Sequence, residues 1–522
     1  MEEYTPYITN KLVDRGHARR MGNIENYFAL WQRQELYNTF HVYGEINKPI
    51  NKLELGNALR PILMKNPLLL HYIVPKHYPN HEKYYTSEEY MIKPCPINDY
   101  IRVLDSIDLE DIVINYQREY NEITNKIIDE YRKSGYKFTS DLIGLTCTIN
   151  IHICDPTKPS WRLLCLPQEG NDTSWSKFIY ITNHCGSDGT SGVNLIHDIS
   201  KEMNKKNSIQ VTEIDGKTNL VTYANDYKNI SKLAIPFTDR IEYRPALHKL
   251  PSFFARSLIK SKLVYTSPGA IPTRRDDKVQ TFDRLLNFTT DEVETIKVCI
   301  KENIHKNATL TPFLQACLLI SMYKFGEVFQ NRWNEWGIDL ALPTNERKSL
   351  PDDEEIREAY RYGPNVGGIH YFYLISSFNI RNEEKTKFWT LVKNFYEWYQ
   401  TGYKNGDALI GFGVLISDFV VNNKNMDTVI CDDLLKNRRG GVLLSNVGFF
   451  PQDKEKEYFV NDLVFGQAPG AMRFTFGVNI CSTNVKGMNI AMGAVKDALK
   501  DDKSFGQLCT EFRRTISNFV DM

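Results

Sequence analysis

The stretch from Phe178 to Met203 constrains this chain more than any other. Phe178-Ile179-Tyr180-Ile181-Thr182 is an apolar run of β-branched and aromatic residues, which predicts a strand. His184-Cys185-Gly186-Ser187-Asp188-Gly189 follows it. A helix is then predicted from about Asp188 to Met203, carrying Val193, Leu195, Ile196 and Ile199. A neutral imidazole at a strand end can act as a general base near pH 7, so His184 is the first candidate for chemistry. Its bland alternative is a buried, satisfied histidine. Asp188 reads as the N-cap of the helix, with Gly189 easing the turn. That reading is compatible with a functional one, because a short side chain anchored at a helix start can fix the loop that bears His184.

The same alternation of strand and helix patterns runs through all 522 residues, with no repeat at solenoid or propeller spacing. The length exceeds one ordinary core and suits two large domains in an α/β or α+β architecture. Leu53 to Met64 has helical periodicity, Leu68 to Val74 reads as a strand, and so does Trp161 to Pro167. Asn204 to Lys217 is polar and irregular, and Thr266 to Lys278 reads as part of a domain connection. Beyond it, Phe282 to Phe288 predicts a strand, and Thr311-Pro312 predicts the N-cap and first turn of a helix over 313–325. Later strands are expected at Val442–Leu444 and Phe474–Ile480. Near the end, Phe505, Leu508, Cys509, Phe512, Ile516, Phe519 and Val520 form one apolar stripe. The stripe either caps a core or lies on a membrane surface; the N-terminal Tyr7-Ile8, Leu12-Val13 pattern is a weaker version.

Composition excludes several classes. With 64 basic and 64 acidic residues the chain lacks the electrostatic footprint of a nucleic-acid binder. No stretch is long and apolar enough to span a bilayer, and Met1-Glu2-Glu3-Tyr4 begins no signal peptide. The ten cysteines are scattered, several inside apolar runs, as reduced thiols of a cytosolic setting would be. There is no Gly-x-Ser-x-Gly elbow, no His-Glu-x-x-His and no phosphate loop. His77 and His81 are four apart, but Pro79 breaks any helix between them, so no metal site is expected. Cys185 adjoins His184, and neighbours on a strand point to opposite faces, so they do not form a nucleophile–base pair. Asp352-Asp353-Glu354-Glu355 reads as a solvated loop or helix start.

Several clusters are too polar or Gly-rich for plain core: Gly16 to Gly22, Tyr362 to Gly368, Arg438 to Gly441, Ser445 to Gly448 and Cys481 to Asn484. Each is also what a turn looks like. Taken with Ser160-Trp161-Arg162-Leu163-Leu164-Cys165-Leu166-Pro167, Thr182 to Gly189 and Thr311-Pro312-Phe313, and with the longer blocks Arg439 to Gly448 and Cys481 to Asn489, they anchor a resemblance that covers nearly the whole chain. Together they resemble the yeast-type alcohol O-acetyltransferases of the His-x-x-x-Asp-Gly superfamily of CoA-dependent acyltransferases. Gly367-Gly368-Ile369-His370-Tyr371 and Asn405 to Gly411 resemble the second brewer's-yeast-type branch. One departure stands out: the plant branch carries Asp-Phe-Gly-Trp-Gly where this chain has Ser445-Asn446-Val447-Gly448-Phe449.

The resemblance implies two chloramphenicol-acetyltransferase-like α/β domains with mixed sheets and a substrate tunnel between them. On that basis residues 1–225 form the domain with the motif, 226–280 a crossover and 281–522 the second domain. It implies acetyl transfer from acetyl-CoA, a cosubstrate and not a bound cofactor, to a short, medium-chain or fusel alcohol or a hydroxysteroid. His184 would be the base, without an acyl-enzyme. Asp188 would pair with an arginine, for which Arg347 is the candidate, and Gly189 would support the turn. Ser445, Asn446 and Asn365 are candidates for oxyanion or tunnel contacts. A monomer is expected, peripheral on the cytosolic face of endoplasmic reticulum and on lipid droplets through its amphipathic termini. Two other readings remain at this point: a different acceptor or longer acyl donor, and a CoA- or sterol-binding protein without catalysis.

Overall fold

The computed structural model describes residues 8–33, 39–74, 100–205, 211–241, 243, 251, 264–265, 281–329, 336–415, 440–468 and 474–522. Two sheets organise it. Their strands, in chain order, are β1 (Phe40–Asn51), β2 (Trp161–Leu166), β3 (Ser174–Thr182), β4 (Thr281–Phe288), β5 (Gly337–Asn345), β6 (Val366–Leu374), β7 (Val442–Phe450), β8 (Val460–Gln467), β9 (Phe476–Thr483) and β10 (Gly487–Val495). The helices that matter here are α1 (Asn23–Arg33), α2 (Lys52–Lys65), α3 (Ser140–Cys147), α4 (Gly189–Met203), α5 (Leu310–Phe325) and α6 (Asp502–Val520).

The first sheet has the order β8-β1-β3-β2 and is antiparallel throughout. Both of its faces are covered, which explains why Phe178 to Thr182 is apolar without alternation. Phe178 and Tyr180 share a cluster with Val193, Leu195 and Ile196 of α4, whereas Ile179 and Ile181 pack with Leu142 and Ile143 of α3. Gly44 of β1 lets α4 lie close, since a Cβ there would collide with Ile196. The second sheet has the order β4-β10-β9-β7-β5-β6 and is mixed: β5–β7 and β7–β9 are parallel, the other pairs antiparallel. Leu340, Val442, Leu444, Val478 and Ile490 bury against α5 and α6 on its outer face. Strand β8 belongs to the 281–522 stretch of the chain yet forms the edge of the first sheet, in register with β1 from Val460↔Ile46 to Gln467↔Phe40.

The C-terminal stripe caps the second core. Phe505, Leu508, Phe512 and Ile516 are fully buried, Phe519 stacks on Phe388 at 3.7 Å, and Thr515 Oγ1 meets Ser321 Oγ of α5 at 2.9 Å. That face is therefore unavailable to a membrane while the helix stays docked. Ile8 and Leu12 are likewise in the first core, and Tyr7 lies outside the described residues. Among the described residues no helix is long and apolar enough to cross a membrane.

Four local expectations change. Pro67–Leu70 form a 3-10 turn, so the strand that follows is only His71–Val74. Helix α5 begins two residues earlier than Thr311-Pro312 suggests: Thr309 is the extended N-cap residue, and Pro312 still sits in the first turn, where no amide proton is needed. The irregular 204–217 stretch contains Thr212–Ile214, a strand that turns through Asp215 and Gly216, both at positive φ, to pair with Lys217–Thr222. Strands β7 and β9 are longer than their apolar cores, reaching Phe450 and Thr483. The acidic run 352–355 is a helix start capped by Asp353. The expected connection at 266–278, the His77/His81 pair and Arg438-Arg439 lie outside the described residues.

Candidate active site

Strand β3 ends at Thr182, and His184 follows two residues on. Phe40, the first residue of β1, pairs with Thr182 on one side and with Gln467, the last residue of β8, on the other. This single register position gathers the site. The Phe40 ring stacks on His184 at 4.4 Å, and Phe28 of α1 lies against it at 4.8 Å. Nδ1 of His184 is 3.1 Å from the carbonyl oxygen of Ser187, and Nε2 is 3.3 Å from Oε1 of Gln467. Both partners are oxygens, which only accept. With Nδ1–H on Ser187 the neutral ring keeps its lone pair on Nε2 and needs the Gln467 amide turned to present its N–H, whereas the imidazolium donates to both oxygens as they stand. Burial lowers the imidazole pKa below its ordinary value, and the bonds to Gln467 and Ser187 and the charge of Asp188 oppose that shift. The residue is 8 % exposed, and its imidazole lies in the buried interior.

Asp188 does the work of an N-cap and a brace together. Oδ1 accepts from the backbone N–H and the hydroxyl of Ser191, each at 2.8 Å, which starts α4. Arg347 Nη1 donates to Oδ2 at 2.7 Å and Nη2 to Oδ1 at 3.1 Å. The backbone N–H of Asn365 completes the set at 3.2 Å. Arg347 is itself fully engaged, with Nε on the Tyr360 carbonyl and Nη2 on the Gly363 carbonyl and Ser191 Oγ. This fork-to-carboxylate geometry fixes direction as well as charge. Gly189 allows a close approach: a Cβ there would stand 2.9 Å from Val447 of β7. Gly186 faces the ring of His71, and a side chain at that position would overlap it.

The remaining candidates separate. Asn365 is buried with its amide donating to the Tyr360 and Tyr362 carbonyls, so it holds its own turn. Asn446 donates to Thr311 Oγ1 at 3.0 Å, on the α5 side of the second sheet and away from His184. Ser445 is in register with Asn479 of β9 and shares its face. Asn479 Nδ2 reaches the Gln467 carbonyl at 3.4 Å, so that face is the one turned toward the base.

Sequence reasoning missed Gln467, Phe28 and Phe40, which reach His184 from separate elements. It also missed a second clamp on α4, where Asp198 accepts from Arg361 at 2.5 and 2.7 Å and from Tyr362 Oη at 2.8 Å. Burial pushes the Asp198 carboxyl up, but hydrogen bonds from His197, Arg361 and Tyr362 prevail and hold it at about 2. The available signal was a lone carboxylate within the apolar run Leu195 to Ile199. A cavity of about 840 Å³ opens beside the Gly363–Asn365 turn, with Ile24, Leu68, Phe237 and Tyr360 among its apolar walls. His184 is not part of its lining.

Residues 20–516 match the alcohol acetyltransferase family along almost the whole chain. The chain belongs to the alcohol acetyltransferase family. It is 44% identical to alcohol O-acetyltransferase 2 of Saccharomyces cerevisiae over 532 aligned residues, covering 100% of this chain and 99% of the relative. In fold, this family member is similar to the trichothecene 15-O-acetyltransferase TRI3 of Fusarium sporotrichioides, with a TM-score of 0.60 at 10% identity over 96% of this chain and 95% of that one. It is also similar to the first condensation domain of the calcium-dependent antibiotic synthetase, with a TM-score of 0.57 at 12% identity over 96% of each. The fold is thus the α/β, mixed-sheet fold of CoA-dependent acyltransferases and condensation domains, and the protein is an acyltransferase.

Proposed function

We propose that this enzyme transfers the acetyl group of acetyl-CoA to the hydroxyl of an alcohol, releasing an acetate ester and CoA. The observation that carries the mechanism is the Ser187 carbonyl oxygen 3.1 Å from Nδ1 of His184: an acceptor there favours the Nδ1–H tautomer and leaves the Nε2 lone pair as base. Nε2 accepts the hydroxyl proton as the alcohol oxygen attacks the thioester carbonyl. The tetrahedral oxyanion collapses with cleavage of the C–S bond, and Nε2–H returns the proton to the leaving thiolate. A thioester is already activated, so no acyl-enzyme is needed. Asp188 touches neither ring nitrogen; with Arg347 it sets the loop that presents the ring. Ser445, on the face shared with Asn479, is the candidate donor to the oxyanion.

We place the two substrates in a passage between the two sheet systems, where β8 carries Gln467 from one to the other. The substrate reading is a short, medium-chain or fusel alcohol, with hydroxysteroids as the larger acceptors. The protein acts as a monomer, in two domains of 1–225 and 281–522 bridged by 226–280. Association with endoplasmic reticulum and lipid-droplet surfaces fits alcohols that partition into lipid; α6 does not supply that contact, because its apolar stripe is in the core. The test is incubation with acetyl-CoA and a graded series from ethanol through isoamyl alcohol to a hydroxysteroid, with esters read by mass spectrometry. Absence of every acetate ester would overturn the activity. Intact-mass measurement with acetyl-CoA alone should show no acetylated protein, and a stoichiometric adduct would replace direct transfer by a two-step route.

A further inference from the structure

Gln467 ends the strand that crosses from the second half of the chain into the first sheet, and it is buried there. Its carbonyl receives Asn479 Nδ2 at 3.4 Å, and its backbone is held opposite Phe40, the residue that stacks on His184. Its side-chain amide therefore reaches Nε2 from a scaffold fixed on two sides. The chemistry of that amide is distinctive. The neutral ring presents a lone pair at Nε2, and the imidazolium presents an N–H there. A primary amide serves both: Oε1, the atom at Nε2 in this structure, accepts from the imidazolium, and a turn of the terminal torsion presents N–H to the lone pair of the neutral ring. A carboxylate could only accept, and an alkyl group could do neither.

We infer that Gln467 is a positioning residue for the proton transfer, holding Nε2 of His184 in line and steadying the imidazolium between proton abstraction and thiolate release. The inference rests on the reading of His184 as base. In the cycle, the alcohol O–H bond breaks toward Nε2 and the oxygen–carbon bond forms. While the oxyanion exists, Nε2–H is shared with Gln467 Oε1. The C–S bond then breaks and the proton passes to sulfur, so Gln467 gains and loses no proton. At 3.3 Å the contact is long, which leaves the alcohol hydroxyl able to share the Nε2 position. Among the described residues, the groups that face the ring include the aromatic faces of Phe28 from α1 and Phe40 from β1, and the carbonyl of Ser187 in its own loop; the Ser187 hydroxyl accepts from Tyr180 Oη of β3. Asp188 is the nearby charge, and it is neutralised by Arg347. The neutral amide of Gln467 is thus a group at Nε2 that substitution can turn into a charge or an alkyl chain.

Two variants and one control separate the possibilities. Gln467→Glu keeps length and shape, and its carboxylate should move the acid limb of kcat/KM upward by ~1 pH unit or more through charge on the imidazolium. Gln467→Leu should lower kcat by ~10-fold or more, leave KM for both substrates nearly unchanged and move that limb downward, because burial then acts with less opposition. Circular dichroism and the denaturation midpoint check the fold; if Gln467→Leu does not fold, the isosteric Gln467→Glu decides. Unmoved limbs in the folded variants, with His184→Ala inactive, would make Gln467 a packing residue and overturn this inference alone. An active His184→Ala would instead remove the base on which it rests.

Discussion

His184 and His41 lie on opposite sides of the first sheet, and both are buried histidines kept neutral. Phe40 turns its ring onto His184, while the next residue, His41, points to the α3 side. Burial alone holds His41 at about 3. Its Nδ1 is 3.6 Å from Sγ of Cys147, a thiol that burial keeps protonated, so the thiol donates and Nε2 bears the ring proton. That Nε2 has no hydrogen-bond partner among the described residues, and the residue is 0 % exposed. His184 differs in what opposes burial: two hydrogen bonds and a nearby carboxylate, in a residue that is 8 % exposed against none for His41. Burial makes an imidazole neutral; partners and access decide whether it can take a proton and give it back.

Substitution tests this comparison most strongly. His184→Ala should lower kcat by ~10²–10⁴-fold while the protein stays folded. His41→Leu should leave kcat near the wild-type rate and should not lower stability, since an unpaired buried N–H is removed with the imidazole. Steady-state kinetics with denaturation curves measure both. Equal kinetic losses at the two positions would mean that the α3 side also belongs to the reaction.

The next effect concerns the loop rather than the ring. Arg347→Ala leaves Asp188 charged and buried without its partner, which should cost ~3–5 kcal/mol and most of the activity. Arg361→Ala breaks a similar pair at Asp198, where the arginine side chain is 24% exposed against 13% for Arg347. Its cost should be smaller, and the loss of kcat smaller still, because Asp198 lies away from the turn that carries His184. Urea midpoints give the order; a larger loss at Arg361 would show that the body of α4, and not its start, positions the base.

How much of this was legible can be argued residue by residue. The strand–turn–helix unit around His184 was readable because local patterning and capping chemistry act within twenty residues. The Asp188–Arg347 contact spans 159 positions; it came from resemblance, and the structure draws the fork. Gln467 was invisible for a physical reason: a strand 283 residues away supplies it, and neither periodicity nor motif marks the end of an edge strand as special. The helix start at Thr309 was missed because Thr311-Pro312 is an equally good capping signal in sequence, and Thr309 takes the extended N-cap position without a side-chain cap bond to mark it. Alternation along β7 sends Ser445 and Asn446 to opposite faces, and the sequence does not say which of the two faces meets the base.

A smaller effect appears in the pH dependence of stability. The folded pKa of His41 lies near 3, below the ordinary 6.5 of the unfolded chain. Above 6.5 neither state binds the proton, and the full stability is present. As pH falls from 6.5 toward 3, the unfolded chain binds a proton that the folded state refuses, so stability declines. His184 and His71 act in the same direction. His41→Leu should flatten this acid limb by ~2–3 kcal/mol between pH 6.5 and 4. An unchanged slope would mean that carboxylates dominate the acid response and that the α3 side contributes little to it.

The same side of the sheet holds an acid with the opposite dependence. Asp283 of β4 faces α3 near Gly144, and its Oδ2 accepts from Thr281 Oγ1 at 2.9 Å. Burial pushes its pKa up to about 7 against the lowering effects of Thr281 and Arg284, and the charges of Asp502 and Asp141 add to the rise. Here the folded state keeps a proton that the unfolded chain releases above 3.8. The contribution is complete below 3.8 and is lost as pH rises through 7. Asp283→Asn resembles the protonated acid at every pH, so it should match the wild type near pH 4 and exceed it by ~3–4 kcal/mol at pH 8. Denaturation midpoints at the two pH values measure this directly. Loss of stability in the Asn variant at pH 8 would show that the ionised carboxylate is favourably paired, with Arg284 as the nearby cation, and that the His41 side of the sheet accommodates charge. In that case the contrast with His184 would rest on access to the ring alone, since a seam able to hold an anion could also hold an imidazolium.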